Sequence, residues 1–488
     1  MGQAIVIGAG IAGVAVSIRL ALKGWKVTVL EANAYPGGKL SEFVLEDFRF
    51  DAGPSLFTLP ELVDELFELA GRKPEYYFRH IKLALGCKYF YEDGTVLNAW
   101  ADPQKFAKEV EAKLGVPTTL LSRHLDDAAR KYNLTKGIFL ERSLHKIRSY
   151  FQKDVLKAML NVGSLDLGKT MHEANQKALS EPKLVQLFDR FATYNGSNPY
   201  RAPGVLNLIP HLEHGIGACF PMGGMVEITN SLVRLAKELG VQFAYGKRVE
   251  RIVVEGGRAT GVMVQGNKRD AALIVSNMDI VPTYRKLLPD QKAPQKVLNH
   301  ERSSSALIFY WGIKETFDEL DLHNIFFSQD YAAEFRGIFD GGELAADPTV
   351  YVHISSKMEE RDAPEGQENW FVMVNVPGNK GQDWDALIPQ IRERVLDKLS
   401  RILGKDIRSM IRCEAILDPR SIESKTSSYQ GSLYGASSNS QMSAFFRHAN
   451  FSRKIKGLYF CGGSVHPGGG IPLCLLSAKI VASLVDAA

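Results

Sequence analysis

Gly8, Gly10 and Gly13 stand at the spacing G-x-G-x-x-G directly after the apolar run Ile5-Val6-Ile7, and Glu31 follows eighteen residues past the last of them. Those residue types at that spacing bind a dinucleotide. Gly8 allows a tight turn, Gly10 lets backbone approach a pyrophosphate, and Gly13 lets a helix pack closely on its strand. The helix that opens there offers free N–H groups and a positive dipole end, which draws Ala9, Ile11 and Ala12 into the contact. Glu31, with Ala32 beside it, ends the next strand, where a carboxylate accepts hydrogen bonds from ribose hydroxyls. The same negative charge disfavours a 2′-phosphate, so NADP is not expected.

Two further turns select a flavin. Pro36-Gly37-Gly38-Lys39 continues from the second strand, and Phe50-Asp51-Ala52-Gly53-Pro54-Ser55 comes soon after. Gly37 and Gly38 bring backbone, and Lys39 a cation, toward the phosphates. Gly53, Pro54 and Ser55 bring main chain against the flavin end, with Asp51 as a brace of that turn. Plain NAD dehydrogenases need none of this, whereas two-domain flavin oxidoreductases show it. No second G-x-G-x-x-G follows a strand, so a separate NAD domain is absent and bound NADPH is not the expected electron source. Near the other end of the chain, Gly462-Gly463-Ser464-Val465-His466-Pro467-Gly468-Gly469-Gly470-Ile471-Pro472 forms another glycine-rich turn ahead of a helical run. Gly463, Ser464, Gly470 and Ile471 are its cofactor-binding candidates, and Asn277 and Met278 are candidates at the end of a central strand. One FAD held from both ends of the chain is the expectation.

The chain carries no Ser-His-Asp signature, paired-carboxylate motif or H-E-x-x-H. Catalysis is therefore expected to rest on flavin placement and an apolar tunnel rather than on a strong base. His466 is the polar residue placed nearest the isoalloxazine, as a brace of its turn or as a proton acceptor.

Behind these residues stand the elements that position them. A strand at 4–7, a helix at 11–23 and a strand at 26–31 make a βαβ unit. A helix ending near 239 and strands at 242–245, 249–254, 259–265 and 272–276 add a second part of the nucleotide-binding region. Val249 is a candidate there for main-chain contact with adenine. Residues 300–415 read as a separate sheet, with strands at 305–313, 349–353 and 370–376 and a helix at 384–403. Phe309, Tyr310 and Trp311 are tunnel-lining candidates on its first strand, with core packing as the competing role. Arg190 and Phe191, on a helical stretch before Tyr194, are further candidates.

At 488 residues the chain is too long for one core. With 45% hydrophobic and 23% charged residues and a net charge of +4, the composition is that of an ordinary globular protein and gives no support to nucleic-acid binding. The five cysteines form no C-x-x-C pair or metal-spaced cluster, and a scattered odd set suits a reducing cytoplasm. No metal site is expected. No apolar run reaches the roughly 18–20 residues of a membrane span. The apolar start lacks the charged region of a signal peptide, and Val6 fails the myristoylation motif that Met1-Gly2 suggests.

Taken together these motifs resemble the bacterial carotenoid desaturases, the phytoene and 1-hydroxycarotenoid 3,4-desaturase family. The likeness runs through the N-terminal fingerprint, Pro36-Gly37-Gly38, Asp51-Ala52-Gly53-Pro54, Tyr194-Asn195-Gly196-Ser197-Asn198-Pro199, Phe220-Pro221-Met222-Gly223-Gly224, Ser276-Asn277, Ala363-Pro364-Glu365-Gly366 and His466-Pro467-Gly468. Two positions depart from it. Lys39 replaces the family's usual Arg, turning a bidentate clamp into a point charge, and Val465 replaces a Thr. The Gly-Gly-Ser-x-His-Pro-Gly form is nearer to the hydroxycarotenoid 3,4-desaturases.

The resemblance implies an α/β fold: a Rossmann-like FAD-binding domain, a mixed-sheet substrate domain and a helical lid that contacts the membrane. In chain order, 1–75, 205–290 and 419–488 would build the FAD-binding domain, 76–100 and 291–418 the substrate domain, and 101–204 the lid. It implies FAD-dependent desaturation, with hydride passing to flavin N5 and a proton leaving the adjacent carbon. The substrate would be a carotenoid, and the flavin would be reoxidised by oxygen or a quinone. A phytoene-type desaturase, a carotenoid isomerase or oxygenase, an amine or protoporphyrinogen oxidase and a non-catalytic isoprenoid carrier share the scaffold. A carotenoid is about as long as the roughly 30 Å hydrocarbon layer in which it dissolves. The enzyme is thus expected on the cytoplasmic face of the cell membrane, peripherally bound. Residues 143–160 suit that contact, with Leu144, Ile147, Phe151, Val155 and Met159 on one helical face and Lys146, Arg148, Lys153 and Lys157 supplying charge. An amphipathic helix facing the core is the alternative.

Overall fold

The computed structural model describes residues 2–488 apart from 138–141, 143–144, 146–162, 164, 342–343, 441–442 and 444–446. The proposed membrane-contact helix at 143–160 therefore lies almost wholly outside the described residues.

Five parallel strands form the sheet that organises the glycine turns, in the order Leu458–Phe460, Leu273–Ser276, Gln3–Ile7, Lys26–Leu30 and Gln242–Ala244. Parallel strands are covered on both faces, which is why these short segments read as continuous apolar runs. On Gln3–Ile7 the side chains alternate between two cores. Ala4 and Val6 face the helices Ile11–Leu22, Val226–Glu238 and Ile471–Leu484, while Ile5 and Ile7 face Val249, Ile252 and Val262. The latter belong to a three-stranded antiparallel sheet, Val249–Glu255, Arg258–Val264 and Asn267–Asp270, that covers the second face.

The larger sheet is mixed and seven-stranded, in the order Ile411–Leu417, Ser305–Ile313, Glu368–Val376, Val350–Ile354, His323–Phe326, Leu85–Phe90 and Val96–Trp100. Only its His323–Phe326/Leu85–Phe90 pair is parallel. One face packs on the helix Trp384–Leu403 through Leu307, Trp370, Val352 and Phe326. The other face meets the hairpin Glu42–Leu45/Phe48–Asp51 and a helical layer that includes Pro103–Leu114, Thr118–Thr135, Met171–Leu179 and Pro182–Asp189. The turn at Gly53 meets this sheet where Tyr310 hydrogen-bonds the Ala52 carbonyl.

Candidate active site

The first glycine turn is held from within. Gly8 N–H donates to the Leu30 carbonyl at 2.8 Å. A β-carbon on Gly13 would stand 2.1 Å from the Gly8 carbonyl oxygen, and one on Gly10 would stand 2.6 Å from Asn277 Oδ1. The helix Ile11–Leu22 has Gly10 at its N-cap and no side chain capping it, so its first N–H groups are free to meet an anion. Glu31 is buried at this turn. Its Oε2 accepts from Ala9 N–H at 2.7 Å and its Oε1 from Asn33 N–H at 2.8 Å. The Ala9 amide is thereby committed to Glu31, which leaves the N–H groups of Ile11, Ala12 and Gly13 at the helix start. Ala32 lies between the anchored residues Glu31 and Asn33. Glu31→Ala is expected to weaken FAD retention by about 1–3 kcal/mol, the range for a buried hydrogen-bonding group. Flavin-fluorescence titration of the apoprotein measures it, and an unchanged affinity would remove the ribose role.

The second and third turns lock onto the first. Gly37 has φ +99°, its N–H donates to the Ala9 carbonyl at 2.8 Å, and an added β-carbon would meet the Leu40 carbonyl oxygen at 2.2 Å. Gly38 stacks beside Gly10, and a β-carbon on Gly53 would lie 2.1 Å from the Lys39 carbonyl oxygen. Lys39 is anchored beneath the segment 432–433, donating to the Ser432 carbonyl at 3.0 Å and the Leu433 carbonyl at 2.9 Å. Burial pulls its ammonium down to about 8, against the opposing charge of Asp279. Asp51 braces rather than binds: its carboxylate accepts from Met225 N–H at 3.1 Å and Val226 N–H at 3.3 Å, at the start of helix Val226–Glu238, and pairs with Arg49 at 2.7 Å. Tyr310 Oη donates to the Ala52 carbonyl at 2.8 Å, fixing the backbone before Gly53, Pro54 and Ser55.

Asn277 joins the two ends of the chain. Its Nδ2 donates to the Cys461 carbonyl at 3.3 Å, and a β-carbon on Gly462 would lie 2.5 Å from that nitrogen. Ser464 Oγ accepts from Ile280 N–H at 2.9 Å, two residues past Met278. Gly463 lies against Gly469, and Gly470 caps the helix Ile471–Leu484. His466 is buried. Its ring Nε2 hydrogen-bonds the Arg142 carbonyl at 2.7 Å, and its own carbonyl accepts from Asn450 Nδ2 at 2.7 Å. Since a carbonyl only accepts, Nε2 carries the proton. Burial lowers the imidazole to about 4, which leaves a neutral ring that braces the turn. Val249 packs with Ile7 and Leu30 at the opening of the antiparallel sheet.

The three aromatic tunnel candidates divide. On Ser305–Ile313 all nine residues are buried, so both faces are covered. Phe309 and Trp311 point into the core under helix Trp384–Leu403, away from the flavin turns, while Tyr310 alone faces Phe43, Phe50 and Phe371. The cause is the two-residue period of a strand. Phe191 and Arg190 lie across the inner space on a 3-10 turn. The Arg190 guanidinium sits over the rings of Phe191 at 4.4 Å, Tyr89 at 5.2 Å and Tyr194 at 5.3 Å. Its Nη2 donates to Tyr89 Oη at 2.5 Å and faces Glu213 Oε2 at 3.3 Å, to which Tyr194 Oη also donates.

Sequence reasoning missed Glu213, His323, Tyr351 and His353, which face the same space. The available signal was Val350-Tyr351-Val352-His353-Ile354, a strand whose polar residues all fall on one side.

The glycine cradle, the uncapped helix start and the buried carboxylate fit a dinucleotide of the FAD type. The model of the flavin-containing amine oxidoreductases matches residues 11–486. A 1-hydroxycarotenoid 3,4-desaturase of Flavobacterium sp. is 51% identical over 485 residues, 99% of each chain. A 4,4′-diapolycopene oxygenase of Methylomonas sp. is 33% identical, covering 98% of this chain and 97% of its own. Among solved structures, an oxidoreductase from Methanosarcina mazei superposes with a TM-score of 0.66 at 15% identity, covering 99% of this chain and all of the other. A cofactor-binding variant of putrescine oxidase gives 0.65 at 15% identity, covering 99% of this chain and 98% of its own. Their fold is the two-domain flavin oxidoreductase fold seen here. The chain belongs to the flavin-containing amine oxidoreductases and, within them, to the bacterial carotenoid desaturase family.

Proposed function

We propose that the protein is an FAD-dependent carotenoid desaturase that forms the 3,4 double bond beside a hydroxylated acyclic or monocyclic end group. The observation that carries this reading is the 51% identity, across 99% of both chains, to the 1-hydroxycarotenoid 3,4-desaturase. FAD, when bound, supplies the acceptor for a hydride from the allylic carbon, and a proton leaves the neighbouring carbon. The polyene spreads the developing positive charge, so the chain's main task is positioning. Glu31, seated against the Ala9 amide, would hold the ribose, and the uncapped start of helix Ile11–Leu22 would meet the pyrophosphate. The turns at Gly37 and Gly53 set main chain against the flavin end, and Ile308, Tyr310 and Phe371 present an apolar sheet face beside it. With its hydroxyl tied to Ala52, Tyr310 offers the substrate a ring.

No helix among the described residues is long and apolar enough to cross a membrane. The substrate reaches the protein from the bilayer by peripheral contact on the cytoplasmic face, with the basic stretch 143–160 as the contact segment. Oxygen or a membrane quinone then reoxidises the flavin.

The test is product analysis. FAD-loaded enzyme, given a 1-hydroxylated acyclic carotenoid in liposomes, is expected to yield a product lighter by two hydrogens and, without oxygen, to bleach its flavin in step. A product that gains oxygen would instead support the chemistry named for the diapolycopene oxygenase relative. An unchanged mass would mean isomerisation, and a flavin that no carotenoid bleaches would leave the carrier reading.

A further inference from the structure

Two adjacent strands of the mixed sheet place an unexpected polar group on its inner face. His323–Phe326 and Val350–Ile354 are antiparallel with His323 opposite His353 and Ile325 opposite Tyr351. The two imidazoles stack at 5.1 Å between ring centres. Tyr351 Oη hydrogen-bonds His323 Nδ1 at 2.8 Å and, on its other side, Ser55 Oγ at 2.8 Å. Ser55 is two residues beyond Gly53, so this chain of hydroxyl and imidazole groups starts at the turn assigned to the flavin end.

These groups are not satisfied by one another. His323 and His353 are 3% and 2% exposed, and the Nε2 atom of each has no hydrogen-bond partner. Glu213 Oε1 and Arg190 Nε, close by in the same interior, are also unpartnered. Burial holds His323 down at about 4 and His353 well below its ordinary value, so both rings are neutral. A buried polar atom left unpaired keeps its full desolvation cost with no hydrogen bond to offset it. The opposite faces of these strands carry Val350, Val352 and Phe326, so the sheet itself does not require imidazoles here. A pure hydrocarbon guest gives them no partner. A hydroxyl does, because it donates and accepts and so suits either tautomer of a neutral imidazole.

The position fits the reaction. In a 1-hydroxylated carotenoid a single methylene separates the carbon bearing the hydroxyl from the nearer carbon of the new 3,4 double bond. The hydroxyl must therefore lie beside the flavin end when that bond reacts. Resting on the desaturase reading above, we propose that Tyr351, His323 and His353, tied by Ser55 to the flavin-side turn, form the subsite that binds the substrate hydroxyl and so select the hydroxylated end group.

The experiment compares kcat/KM for a 1-hydroxylated carotenoid and its non-hydroxylated counterpart of equal polyene length. Wild-type enzyme is expected to prefer the hydroxylated substrate by at least roughly a hundredfold, in line with sites that pair a substrate hydroxyl. Tyr351→Phe and His323→Leu are expected to bring that ratio down by about tenfold or more, mainly through KM. His323→Asn, which restores a hydrogen-bonding group, is expected to recover part of it. Flavin content and thermal midpoint report whether each variant is folded. A ratio unchanged in folded Tyr351→Phe and His323→Leu, or a wild type with no preference, overturns the subsite. If wild type desaturates neither carotenoid, the desaturase reading fails on its own. Spectral titration of both carotenoids into wild type and Tyr351→Phe then decides the subsite: tighter binding of the hydroxylated one that the variant loses supports it, and equal binding overturns it.

Discussion

Gly13→Ala is expected to yield protein that purifies without flavin. The new β-carbon would stand 2.1 Å from the Gly8 carbonyl oxygen and 3.0 Å from Asn277 Oδ1. The first neighbour is backbone and cannot swing away. Gly8 is tied through its N–H to Leu30, and the strand it ends is paired on both sides. Relief must come from the helix Ile11–Leu22 moving off its strand, which withdraws its first N–H groups from the phosphates. A loss of about 3 kcal/mol or more, over a hundredfold in affinity, follows from misplacing that group of donors. The flavin-to-protein absorbance ratio after purification, followed by FAD titration, measures it. Full flavin content would mean that the turn does not approach the cofactor.

Arg190→Ala is expected to be the most destabilising of the charge substitutions. It leaves Glu213 buried with its counter-charge removed and takes the guanidinium away from three aromatic rings. Breaking one side of a buried pair costs about 3–5 kcal/mol, much of it from the charge left behind. The double variant Arg190→Met/Glu213→Leu is expected to recover a large part of that loss, since it removes both charges and keeps volume. Denaturant midpoints of the three proteins test the pair. A single variant within about 0.5 kcal/mol of wild type would show that the inner space is already wet.

Different parts of the molecule were legible to different degrees. The βαβ unit could be read because one short stretch contains its strand, turn, helix and acid, all in contact with one another. The strand Ser305–Ile313 and the helix Trp384–Leu403 stand where the sequence placed them. Which face of that strand looks inward was not legible: with both faces buried, Phe309, Tyr310 and Trp311 are equivalent in sequence. The strand Asn267–Asp270 escaped because all four of its residues are polar and exposed, held only by backbone pairing with Arg258–Val264. His323 and Tyr351 are 28 residues apart and become partners only through sheet register. The attachment of Lys39 to carbonyl groups at 432–433 depends likewise on a contact nearly four hundred residues distant.

The five-stranded sheet is assembled from segments that leave the ribosome at very different times. Residues 3–7 and 26–30 emerge before 242–244 and 273–276, and 458–460 later still. The late segment also carries the final ties: Lys23 Nζ donates to the Ala482 and Val485 carbonyls, and Trp25 Nε1 to that of Asp486. A nascent chain therefore leaves Gln3–Ile7 without its Leu273–Ser276 partner until that segment emerges, a non-local pairing of the kind that folds slowly. A chain that stops before residue 458 lacks one strand of this sheet and the glycine-rich turn that follows it, so the Asn277 tie to the Cys461 carbonyl cannot form.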